Sequence, residues 1–191
     1  MSSSEKDQCC DHRESAEPVV VHRPKPTVGG NFDLVDHFGH PVTERSYLGS
    51  YLLIFFGFTN CRTVCPAALS RIDEALHHVG NRVDQVQALY ITVDPERDKP
   101  AVMRAFLKHR HPRIIGLTGS ADAIESVKAK YHVFAQRTED PTTPDGYLMP
   151  HSAFTYLVGP DGGYLTHFTD AVDASELAQG VLGFLPAPSN P

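Results

Sequence analysis

Cys61 and Cys65 stand four positions apart in GFTNCRTVCPAAL (57–69), where an apolar run hands over to a helical pattern. Such a pair supports three chemistries: a dithiol that cycles through a disulfide, two ligands of a metal ion, or small apolar groups buried in a core. If the helix begins near Asn60 or Cys61, both thiols share its first turn, where orphan amides and the helix dipole favour thiolates. Residues at i and i+4 hold their Cβ atoms about 6 Å apart, against the roughly 4 Å of a disulfide. A metal bonded to each sulfur at about 2.3 Å spans that gap with less strain. Spacing therefore tilts toward metal and leaves redox work open.

Two thiolates leave a soft metal short of ligands, and the chain has 11 histidines. His77 and His78 close a helical pattern, where imidazoles interact well with the carbonyl end. His109 and His111, in KHRH, read as solvated surface, and His132 and His167 as ordinary, partly buried histidines. His12, His22, His37 and His40 belong to the head of the chain and the first hairpin. His151 stands apart, ending the polar stretch AQRTEDPTTPDGYLMPH (135–151) at the entrance to an apolar strand. From there a loop can carry a side chain over a neighbouring strand end; a plain surface histidine is the competing reading. Two thiolates and an imidazole suit Cu(I), a water or weak axial group would admit Cu(II), and zinc accepts the same set. Met149 would share a face with His151 if the strand has already begun, as a weak thioether ligand or as packing.

With 191 residues, 41% of them apolar, the chain can bury one sizeable core. A net charge of −6 provides no basic field for a phosphate backbone and argues against nucleic-acid binding. No run approaches the roughly 18 apolar residues of a membrane span, and MSSSEKDQCCDHRESAEP lacks the basic start and apolar segment of a secretory signal. As written the chain reads as a cytoplasmic monomer, or as a periplasmic or membrane-tethered one if an anchor has been removed.

The positioning elements follow from pattern. Residues 1–27 read as a flexible polar tail, 28–186 as one domain and 187–191 as a short end. NFDLVDHFGHPVTE (31–44) predicts a β-hairpin turning at Phe38-Gly39-His40, and YLLIFFGF (51–58) a strand buried on both faces. Leu69, Ile72, Leu76 and Val79 mark one helix face, closed by Gly80. VQALYITVD (86–94) predicts a second strand, residues 101–111 a helix with Val102, Phe106 and His109 on one side, and IIGLTG a third strand. A helix follows with Ile124, Val127 and Tyr131 facing inward. AFTYLVGPDGGYLTHF (153–168) predicts a second hairpin, and Asp173 or Ser175 caps a last helix with Leu177, Val181 and Leu185 inside. No G-x-G-x-x-G or G-x-x-x-x-G-K follows any strand. The order predicts an α/β, thioredoxin-like three-layer sandwich, a mixed sheet with helices on both faces behind an N-terminal hairpin.

GFTNCRTVCPAAL, ITVDPERDKP (91–100) and YLMPHSAFTYLVGPDGGY (147–164) together resemble the signature segments of the Sco/SenC family of copper-binding, thioredoxin-like proteins. The likeness runs from roughly Gly30 to Leu185. It implies that Cys61, Cys65 and His151 hold one copper, Cu(I) or Cu(II), for a copper-accepting protein such as a cytochrome c oxidase subunit. It also leaves open a thiol–disulfide oxidoreductase working through Cys61 and Cys65 with a thioredoxin-like reductant, or a copper or redox sensor. Asp94 and Arg97 would turn the chain after the second strand and pair there. The chain departs from the family pattern at Arg62 and Thr63, where Pro-Asp is frequent, and at Pro150, where Asp often precedes the histidine. With those carboxylates gone and Arg62 nearby, Cu(II) is expected to be held more weakly than in a typical member, with thiolate-dominated Cu(I) binding less affected. Cys9 and Cys10, with His12, would be an auxiliary copper site or an incidental feature of the tail.

Overall fold

The computed structural model describes residues 27–143 and 146–187. The tail over 1–27, with Cys9, Cys10, His12 and His22, lies outside the described residues except for Thr27; so do residues 188–191.

Seven strands form one mixed sheet in the order β2-β1-β5-β4-β3-β8-β9. They are β1 (Asp33–Asp36), β2 (Pro41–Thr43), β3 (Tyr51–Gly57), β4 (Val86–Thr92), β5 (Ile114–Thr118), β8 (Thr155–Val158) and β9 (Tyr164–Phe168). The run YLLIFFG becomes β3, buried from Leu52 onward because it lies between parallel β4 and antiparallel β8. The first hairpin joins the edge of the sheet through β1 and β5. The second pairs β8 with β9 around Gly159–Gly163, where Gly162 takes φ +83° and the Asp161 carboxylate accepts the Gly163 N–H.

Side-chain alternation along β3 separates the two faces. Phe55 stacks on Tyr90 of β4, and Phe106 of α2 (Pro100–Leu107) also stacks on Tyr90. Phe56 points the other way, onto Tyr131 at the end of α3 (Ala121–Lys130) and Tyr156 of β8. Helix α1 (Val64–Val79) buries Leu69, Ile72, Leu76 and Val79 and packs against α4 (Ala174–Leu182), whose N-cap is Asp173 in a capping box with Glu176.

Two expectations need correction. In α2 the buried face is Met103 and Leu107, while Val102 is exposed; both buried side chains close over Gly116 of β5, which has no side chain to keep them off. The helix stops at Leu107, whose carbonyl accepts from both Arg110 and His111. That turn leaves His109 outside and folds His111 inward: it is buried and bonded through Nδ1 to Asp73 of α1. The KHRH segment is therefore surface only in part.

Candidate metal centre

The thiols sit where β3 ends and α1 begins, with a different local geometry from the expected shared helical turn. The helix starts at Val64, with Thr63 as N-cap, so Cys61 lies in the turn ahead of it and Cys65 is its second residue. Pro66 explains the late start. A helix from Cys61 would need an N–H at position 66 to bond Arg62, and proline has none; Ala67 N–H to Thr63 O is the first such bond. The turn closes instead through Cys61 N–H to Phe58 O, 3.2 Å. It is held from below by Asp98, fully buried, which accepts the Thr59 amide at 3.0 Å, the Thr59 hydroxyl, and the Thr92 hydroxyl at 2.7 Å.

This placement divides the work between the sulfurs. Cys61 Sγ lies over the open helix end, 3.5 Å from the Cys65 amide, and is half-buried. The Cys65 thiol donates to it, and the amides of Cys65, Thr63 and Val64 also face it; together they pull its pKa down to about 5 despite partial burial. Cys65 is fully buried, and its pKa is pushed up, first because its proton bonds Cys61 and then by burial.

His151 reaches the buried sulfur from above. Its Nε2 is 3.8 Å from Cys65 Sγ, and its Nδ1 is 2.8 Å from the carbonyl of Met149. A carbonyl only accepts, so Nδ1 carries the proton and the Nε2 lone pair faces the sulfur, the tautomer a metal-binding imidazole needs. The edge of the imidazole meets the Phe58 ring at 5.7 Å. Among the described residues no three His, Cys, Asp or Glu side chains converge as a finished metal cage. The three groups form a chain, Cys61 to Cys65 to His151.

The family model described as SCO1/SenC matches residues 20–185. The chain belongs to the SCO1/SenC family. It is 37% identical over 153 residues to a SCO2-like protein of Rickettsia felis, covering 80% of this chain and 75% of that protein. The structure of Bradyrhizobium japonicum ScoI with copper bound matches at 39% identity and TM-score 0.75, over 83% of this chain and 99% of that one. A third relative, BsSco, is described as carrying a disulfide switch and as belonging to the Sco family of cytochrome c oxidase assembly proteins. It matches at 26% identity and TM-score 0.64, over 85% and 96% of the two chains.

In this SCO1/SenC chain the polar stretch before His151 is a built flap, where sequence gave it no regular structure. Two short strands, β6 (Thr138–Glu139) and β7 (Tyr147–Leu148), pair in it, and Ala135 bridges His151. Regular structure lapses between Leu148 and Thr155 except for that bridge, so Met149 and His151 share no strand face; Met149 is buried in the core. Tyr147 pins the flap to the turn after β4. Its hydroxyl donates to Asp94 at 3.1 Å, and its ring lies between the guanidinium groups of Arg97 (3.6 Å) and Arg137 (3.7 Å). Arg97 also bonds Asp94, closing the turn. Beside Cys61 the flap leaves a cavity of about 310 Å³, lined among others by Phe58, Asn60, Arg62, Thr142 and Leu148.

Sequence reasoning missed Gly57, Tyr90, Asp98 and Tyr147, none of which announces itself by type or spacing. The thiols yield a direct test. Iodoacetamide at pH 6.5 is expected to alkylate Cys61 and spare Cys65, with a rate that rises through about pH 5. Peptide mass spectrometry reads both sites, and equal labelling would contradict the assignment.

Proposed function

We propose that the chain binds one copper ion through Cys61 Sγ, Cys65 Sγ and His151 Nε2 and passes it to a copper-accepting protein. The observation that carries this reading is the His151 ring, locked through Nδ1 onto Met149 O with its free lone pair 3.8 Å from the Cys65 sulfur. Two soft thiolates and one imidazole fit Cu(I), and copper-bound relatives share the fold at 34% to 39% identity. The naming of BsSco supports a subunit of cytochrome c oxidase as the acceptor class. Transfer would proceed by ligand exchange at Cys61, the one of the two sulfurs that is not fully buried and the one that lines the cavity. His151, carried on the flap, would be the arm that lets go.

Copper added to the reduced, metal-free protein is expected to reach one per chain, with a thiolate-to-Cu(II) charge-transfer band that His151→Ala abolishes or strongly alters. An unchanged band and stoichiometry in the variant would remove His151 from the ligand set.

One observation favours a second reading, thiol–disulfide exchange: an acidic, reachable thiol beside a buried, protonated one. Cys61 thiolate would attack a partner disulfide and release one partner thiolate. Cys65 would then attack the Cys61 sulfur, leaving a Cys61–Cys65 disulfide, a fully reduced partner and a need for a thioredoxin-like reductant. Here His151→Ala would be tolerated and either cysteine variant would not.

A further inference from the structure

Tyr90 carries a polar atom with no evident use. It is fully buried in β4, and its hydroxyl makes no well-formed hydrogen bond among the described residues, although it lies beside the Cys65 sulfur. Phe55 and Phe106 both stack against its ring and restrict its movement. A phenylalanine would fill the same slot without stranding a hydroxyl, which ordinarily makes a buried, unbonded O–H destabilising.

The hydroxyl is aimed at the thiol site. A Cβ placed on Gly57 would lie 2.7 Å from Cys65 Sγ and 2.8 Å from the Tyr90 oxygen, so sulfur and oxygen flank the same point. A protonated sulfur accepts hydrogen bonds weakly. A copper-bound sulfur carries negative charge and accepts far better. The sulfur is buried, and the Phe58 amide and the Tyr90 hydroxyl both face it. A phenol is an O–H donor at neutral pH.

We infer that the Tyr90 hydroxyl is a positioning group for the copper site, idle in the metal-free protein and donating to the Cys65 sulfur once that sulfur holds copper. This rests on the copper reading above and adds a residue from the second central strand to it. The unpaired hydroxyl is then a feature of one state, resolved in the other.

The test is Tyr90→Phe, which keeps the ring and removes the oxygen. The metal-free variant is expected to melt at or above the wild-type temperature, since a stranded hydroxyl is gone. Its Cu(I) affinity, measured by competition with a chromophoric chelator, is expected to fall about tenfold. Its Cu(II) charge-transfer band is expected to move to longer wavelength, because a sulfur without its donor gives up charge more easily. A wild-type protein that takes copper with a variant identical in affinity and band overturns the inference alone. A wild-type protein that takes no copper overturns the site reading and this inference with it. A second measurement uses the native chain: on Cu(I) loading the ¹³Cζ resonance of Tyr90 is expected to shift while that of Tyr131 stays. A stationary Tyr90 resonance also overturns the inference.

Discussion

Replacing Gly57 with alanine is expected to lower the melting temperature by about 6–12 °C and to abolish the copper site together. The added methyl would lie 2.7 Å from Cys65 Sγ, 2.7 Å from Tyr90 Cε2 and 2.8 Å from the Tyr90 hydroxyl. Carbon does not approach such atoms closer than about 3.4–3.5 Å without repulsion, and neither neighbour can retreat. Cys65 is fixed in the first turn of α1, and Tyr90 is fully buried and stacked against Phe55 and Phe106. Overpacking of this kind destabilises by about 3 kcal/mol. Backbone strain is not involved, since Gly57 is an ordinary strand residue paired with Thr92; the reason for glycine is space alone. Calorimetry on the metal-free protein and copper titration of the folded fraction check both parts. A variant with wild-type stability and a full charge-transfer band would show that the sulfur and the phenol have room to move apart. Gly57→Ser should do at least as much damage, because it adds a polar atom to the same filled space.

Such constraints mark the limit of what the chain discloses by pattern. The sheet, the helices and the junction bearing the thiols were legible because they rest on periodicity and on residues of distinctive type. Leu69, Ile72, Leu76 and Val79 declare a face, and YLLIFFG declares a strand covered on both sides. His151 was legible by its place before the strand TYLV, and its bond to Met149 O explains why the ring presents Nε2 rather than Nδ1. The start of α1 was misplaced because the missing N–H of Pro66 reads as harmless near a helix start, whereas a helix beginning at Cys61 would need it to bond Arg62. His111 was misplaced because a basic cluster suggests solvent, while the turn after Leu107 that folds it onto Asp73 is a tertiary matter. The flap hid for a related reason. A stretch rich in Thr, Asp and Pro has no core of its own, and its order comes from Tyr147 inserting between two arginines, one of them from the turn after β4.

Asp98→Ala is the second variant with a large expected effect, a loss of about 3 kcal/mol with at least a tenfold weaker Cu(I) complex. The Asp98 carboxylate is buried and accepts from the Thr59 amide, the Thr59 hydroxyl and the Thr92 hydroxyl. Alanine leaves those donors facing a void, and the Thr59 amide belongs to the turn that carries Cys61. Freed, residues 59–63 would lose hydrogen-exchange protection and Cys61 its fixed place over the helix end, whereas the core under Leu53 and Leu89 would stay protected. Loss confined to global stability, with unchanged exchange in this turn, would argue that Asp98 only fills space. Asp98→Asn separates charge from shape. Burial raises the pKa of Asp98, with the threonine bonds partly opposing. For a carboxyl whose folded pKa is raised, the folded state holds the proton more tightly than the unfolded one between the two pKa values. Stability from this group is therefore complete below the unfolded value near 3.9 and is lost as pH climbs through the folded value. Wild type should accordingly lose stability relative to Asp98→Asn as pH rises through that window, read as the difference between the two urea-unfolding curves. A difference independent of pH would mean that Asp98 is as readily ionised in the folded chain as in the unfolded one. A copper site held by this carboxylate would then owe its rigidity to the three hydrogen bonds, with the charge itself well tolerated in the fold.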